Sequence, residues 1–373
     1  LSKKARQPFA SLYFFPVAAA YGALALPWSV LAQFGLVAGP PGLQGSLGHA
    51  HEMLFGFAMA VVAGYVLGPQ PRRWIALTLG LWIASRISFL GWPTSFMAAL
   101  ANIAFASLLA YRVIPRFARS AKKWRNKAVA PVILGLCIAA ALFMGLYQAA
   151  MPGPLYGVLL EAILLLSTLM FFMGGRILAP AVAGHMLKQN RELEARVQPR
   201  LEGTVLILMA SVLVLNVLLW PPLRMLIGVL LILAAGTALA RLLRWPLKHC
   251  LDRPDLLALM LGYLWLIIGW LLIALALMAD ILPASTAIHG LTVGALGTLT
   301  LTVMARTRAQ RVRKDTSLPA LMYVAVGLIS IAALARLAAG TVAPGLTFHL
   351  LAAGSWSLGF FILLGFLVHL KRA

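Results

Sequence analysis

"LLALMLGYLWLIIGWLLIALALMA", Leu256–Ala279, holds no charged side chain. Wound as a helix it is about 36 Å long, enough to cross a hydrocarbon core of roughly 30 Å. The rest of the sequence agrees with that setting. Of 373 residues, 62% are hydrophobic and 11% charged, against about 25% charged in a soluble domain. The sequence predicts an all-α protein, a polytopic membrane helical bundle of about twelve transmembrane helices. The expected spans are 10–37, 49–68, 74–91, 94–114, 128–150, 154–178, 201–220, 222–242, 256–279, 284–305, 319–339 and 343–369. The first is too long for the apolar core of a signal peptide.

The loops orient the bundle. All but three of the 31 Lys and Arg residues fall at the termini or on alternate loops, among them Lys3, Arg72, Arg116, Lys188, Arg244 and Arg311. Basic loops stay cytoplasmic, so both termini are expected there. The net charge of +22 then follows from topology, and no nucleic-acid partner is expected. Residues 1–373 read as one polytopic membrane domain within a lipid bilayer. A polar cytoplasmic linker of about 179–200 joins spans six and seven, with a short helix around "KQNRELEAR", Lys188–Arg196. Cys137 and Cys250 lie far apart in no CxxC spacing, which argues against a disulfide framework, c-type haem attachment or an iron–sulfur centre.

Four histidines reach one outer layer of this map. His49 and His51 open span two, and His289 and His349 lie roughly 8–9 Å into spans ten and twelve. His185, His249 and His369 fall on the cytoplasmic side, where a solvated or interfacial histidine is the plain reading. An imidazole in hydrocarbon needs a partner, and neutral imidazole is a common ligand of haem iron, copper and zinc. At i and i+2 on a helix, His49 and His51 point about 200° apart, so either the helix starts after His49 or the two histidines serve two different sites. A zinc-peptidase HExxH is excluded, because Phe55 stands where the second histidine is required. In span ten, Gly290, Gly294 and Gly297 allow close approach of either a helix or a flat macrocycle. In span twelve, His349 and Trp356 share a face.

Carboxylates and arginines join the same half. Glu161 is the acid well inside an apolar run; Glu52 sits at the mouth of span two and Asp280 at the end of span nine. Arg86, Arg224 and Arg336 are the three basic residues outside the loop pattern. They suit either ion pairs with these acids or the propionates of a haem. Asn102 and Asn216 add polar atoms. The residues alone therefore describe a polar, histidine-containing cluster with a metal or haem as favoured occupant, and they name no reaction.

"GHAHEMLFGFAMAVVAGYVL", Gly48–Leu67, resembles the NnrS family, whose pattern there is close to WHAHEMLFGF; Gly48 stands in place of the tryptophan. "HGLTVGALGTLTLTVMARTR", His289–Arg308, is similar to the family's second motif. "FFMGGRILAP", Phe171–Pro180, resembles its GGR element. "QPFASLYFFPVAAAY", Gln7–Tyr21, resembles its opening, with Ala10 departing from it. The resemblance implies a bacterial inner-membrane protein of the nitric oxide response, with haem b, copper as an optional second group, and a role in relieving nitrosative stress. Ligand roles carry over to His49, His51 and His289 inside matched motifs, while His349 rests on depth and chemistry. Three functions stay open. The first is an oxidoreductase converting nitric oxide to nitrous oxide, with Glu52 and Glu161 as proton carriers and an unidentified electron donor. The second is a non-catalytic haem-based nitric oxide binder, sensor or haem- and metal-handling protein. The third is a secondary transporter.

Overall fold

A computed structural model describes residues 7–120, 124–193, 198–279, 281–341 and 345–372. They form twelve successive helices: α1 (Ser11–Gln33), α2 (46–66), α3 (Arg72–Gly91), α4 (Phe96–Ser120), α5 (Val129–Gln148) and α6 (Pro152–Lys188). The second half comprises α7 (Pro199–Val217), α8 (Leu223–Leu243), α9 (Pro254–Met278), α10 (Ala284–Arg313), α11 (Ala320–Ala339) and α12 (Leu346–Arg372). The chain is an all-α polytopic membrane protein: among the described residues, 11 helices are each long and apolar enough to cross a bilayer. The twelfth expected span is α2, which is not one regular helix. It runs as α-helix over Ser46–His51, π-helix over Glu52–Ala58 and α-helix over Met59–Val66.

The first and last helices pack together, and α12 lies along both α1 and α11. Helix α10 lies inside, against α9, α11 and α12. Small residues permit that depth. A methyl group added at Gly290 would meet Gly269 Cα of α9 at 3.1 Å, and one at Gly294 would meet the Trp265 ring at 2.6 Å. The glycines of span ten thus serve helix packing, the first of their two expected uses. Helices α6–α9 form a second packed group, and α3–α5 flank α2 and α6.

Helix α6 continues past the expected end of its span to Lys188, so residues 179–188 of the predicted linker are helical. His185, on that extension, is buried rather than solvated, because residues 249–252 fold over it. Its Nε2 lies 3.0 Å from both the His249 carbonyl and Asp252 Oδ1. Arg191 donates to the exposed His249 ring at 2.7 Å. Partial dehydration, with the charges of Arg191 and Lys248, holds that imidazole below its ordinary range. Residues 189–193 are not helical, and 194–197, which complete the predicted short helix, lie outside the described residues.

The GGR element also has a packing role. Gly175 leaves room for the Arg241 guanidinium, which stacks 4.8 Å over the Phe171 ring. Arg241 also faces Glu202 at 3.8 Å.

Candidate functional site

The first motif divides at its two histidines. On one side, Glu52 is fully buried and takes three partners. Arg86 Nη1 donates to it at 2.6 Å, His51 Nδ1 at 2.8 Å, and the Tyr21 hydroxyl closes the set. Arg86 is held in turn by Asn102 and by Ser85 Oγ. The π turn shapes this pocket. The Gly56 carbonyl within it accepts from the Met59 backbone N–H and also from Trp82 Nε1 of α3, at 3.0 Å. Gly56 itself must lack a side chain, since a Cβ there would lie 2.8 Å from Arg86 Nη1. The His51 ring stacks on Phe89 with centroids 3.8 Å apart and packs against Phe143. Its Nε2 is buried, with no partner among the described residues.

His49 points the other way, into a cavity of about 1040 Å³ shared by His289, His349, Arg224, Arg336 and Trp356. Each of these three histidines has its Nδ1 occupied. His289 Nδ1 donates to the Ser285 carbonyl at 2.6 Å, and His349 Nδ1 to the Gly345 carbonyl at 2.9 Å. A carbonyl only accepts, so Nδ1 carries the proton in both rings. His49 Nδ1 lies 3.1 Å from Ser29 Oγ. That hydroxyl donates to the Leu43 carbonyl at 3.3 Å and accepts from Gln33 Nε2 at 3.0 Å. With the hydroxyl proton so engaged, His49 Nδ1 is the donor. The hydrogen-bond partners therefore assign one tautomer to all three histidines, with Nε2 unprotonated and able to ligate.

Arg336 lies within electrostatic range of both His49 and His289. Among the described residues lining the cavity there is no Asp or Glu; Asp280 lies outside the described residues. Trp356 anchors the wall by donating from Nε1 to the Gly22 carbonyl at 3.0 Å. Phe34 packs edge-on to His349.

Several expected site residues stand elsewhere. His51, Glu52 and Arg86 do not line the cavity. Arg86 is committed to Glu52 and Asn102, so the ion-pair alternative describes it and the propionate alternative does not. Glu161 lies outside the wall too, joined to it by Asn216 Nδ2, which donates to Glu161 Oε2 at 2.9 Å. Among the described residues no three His, Cys, Asp or Glu side chains form a metal cage. Ser29 and Gln33, which orient His49, and Tyr21, which completes the Glu52 set, carried no sequence signal. Folding alone brings them to their partners: Ser29 stands 20 positions from His49 and Tyr21 31 positions from Glu52.

Fold and cavity together define a polytopic helical membrane protein with a large internal site of imidazole and guanidinium groups. The model of the family described as NnrS protein matches residues 7–370. The chain belongs to the NnrS family. A comparison with curated proteins finds no match.

Proposed function

We propose that the cavity binds haem b and that the protein consumes nitric oxide there, reducing it to nitrous oxide, in the bacterial inner membrane. One observation carries this reading: three Nε2 lone pairs and two guanidinium groups face one largely apolar space. Haem asks for that set, because it combines a flat apolar body, a metal that accepts imidazole and two carboxylates. His49, His289 and His349 are the available iron ligands, and Arg336 and Arg224 the propionate partners. When bound, haem supplies a redox-active iron with affinity for nitric oxide. The protein's own contribution is to fix the imidazoles through Ser29, Ser285 and Gly345, to neutralise the propionates, and to exclude water with Met53, Leu54, Phe57 and Trp356. Glu161, hydrogen-bonded to the wall residue Asn216, is the carboxylate placed to carry protons. Glu52, locked to Arg86, acts in this reading as scaffold.

The test is anaerobic consumption of nitric oxide by the purified protein with a reductant, with nitrous oxide measured by gas chromatography. Consumption above a haem-free control is expected. A spectral shift on adding nitric oxide without consumption would instead identify a binder or sensor. No haem, with alternating access across the bilayer, would identify a transporter.

A further inference from the structure

The cavity has two walls of different chemistry. Helices α1, α2, α10, α11 and α12 contribute the three histidines and Arg336. Helices α6 and α7 and the turn into α8 contribute Tyr156, Leu160, Asn216, Leu219 and Trp220, with Arg224 beside them. Tyr156, Leu219 and Trp220 are 59%, 57% and 62% exposed. They stand near the ends of apolar helices, where aromatic side chains mark the membrane–water interface. This wall is therefore open at the level where a membrane-dissolved molecule presents its polar head.

One polar group on the wall is oriented in advance. Asn216 Nδ2 donates to Glu161 Oε2 at 2.9 Å and to the Gly157 carbonyl at 3.4 Å. Both amide N–H groups are engaged within the protein, which leaves Oδ1 as an acceptor for a ligand hydroxyl. The cavity is continuous from the histidines to this wall, and its volume of about 1040 Å³ stands at the upper end of the roughly 300–1,000 Å³ of ligand pockets.

We propose that the α6–α7 wall binds a hydroquinone, whose ring lies among Tyr156, Leu219 and Trp220 and whose hydroxyl donates to Asn216 Oδ1. The proposal deepens the haem reading, on which it rests for its purpose, by naming the class of reductant. The chemistry balances. Oxidation of one hydroquinone to its quinone releases two electrons and two protons. Two nitric oxide molecules take up both and give one nitrous oxide and one water. Glu161 is a positioning residue here, since it holds the Asn216 amide.

The experiment is photolabelling of the full-length protein in lipid nanodiscs with a short-chain azido-hydroquinone, kept reduced under anaerobic conditions, the label being mapped by mass spectrometry. Label is expected within residues 153–163 or 215–224 and should be displaced by excess short-chain ubiquinol. Asn216→Leu should lower it at least fivefold. Glu161→Gln retains an acceptor for the amide and should label like the wild type, whereas Glu161→Leu should label at least threefold less. Label absent from both segments, label not displaced by ubiquinol, or label unchanged in Asn216→Leu and Glu161→Leu overturns the proposal. Labelling needs no haem, so failure of the haem reading is seen separately, as an absorption spectrum without haem bands.

Discussion

At the scale of the residue, the two histidines of "GHAHE" do different work. His49 faces the cavity with Nε2 free, whereas His51 is bound to Glu52 and stacked on Phe89. The roughly 200° separation of i and i+2 positions made that division legible in the sequence. Which histidine faced the cavity was not, because the answer depends on α1 and α3, far away along the chain. The division predicts distinct phenotypes. Glu52→Gln leaves Arg86 as an uncompensated buried cation, and breaking such a pair costs about 3–5 kcal/mol. The variant should lose thermal stability in detergent while its folded fraction keeps the wild-type haem content. Normal stability with loss of haem would mean that Glu52 acts on the cavity directly.

At the scale of the element, the irregular helices are the informative ones. Eleven spans follow from apolar length alone. Helix α2 also has apolar length, but periodicity says nothing of its π turn, against which Trp82 of α3 packs with a hydrogen bond to the Gly56 carbonyl. The second π turn, Gly290–Ala295, likewise falls inside a family motif and directly follows His289. Each π segment therefore directly follows a motif histidine, His51 in α2 and His289 in α10, and such bulges commonly serve function. Gly56 tests the importance of this local geometry. In Gly56→Ala the new Cβ would press on Arg86 and on Tyr21 Cε1 at 3.0 Å. Overpacking of this kind costs roughly 1–3 kcal/mol. A lowered unfolding temperature is expected, and an unchanged one would show that the Glu52–Arg86 pocket yields freely. The extension of α6 to Lys188 was hidden for the opposite reason: Pro180 and Gly184 interrupt the helical pattern there, and burial of His185 beneath residues 249–252 accompanies the extension.

At the scale of the whole molecule, charge and depth organise the protein. The basic loops gather at one end, and the cavity opens at the other, among Tyr156, Trp220 and Ser285. By the positive-inside rule the basic end is expected in the cytoplasm. A fluorescent protein fused to the C-terminus should therefore mature and fluoresce. A single cysteine at Trp220 should react with an impermeant maleimide added outside intact cells, and one at Lys248 should not; the reverse pattern would invert the topology. The sequence showed the outer polar layer but not its partition. Depth put His51, Arg86 and Glu52 beside His49, His289 and Arg336, and only packing separates an ion-paired scaffold from a ligand cavity. The central claim is that this cavity holds haem through its bare imidazoles. The most direct measurement is the oxidised and dithionite-reduced absorption spectrum of the purified protein and of its alanine variants at His49, His289, His349 and His51. The account predicts haem bands in the wild type and in His51→Ala, with haem content falling severalfold in at least one of the three cavity variants. Wild-type haem content in all three would contradict it.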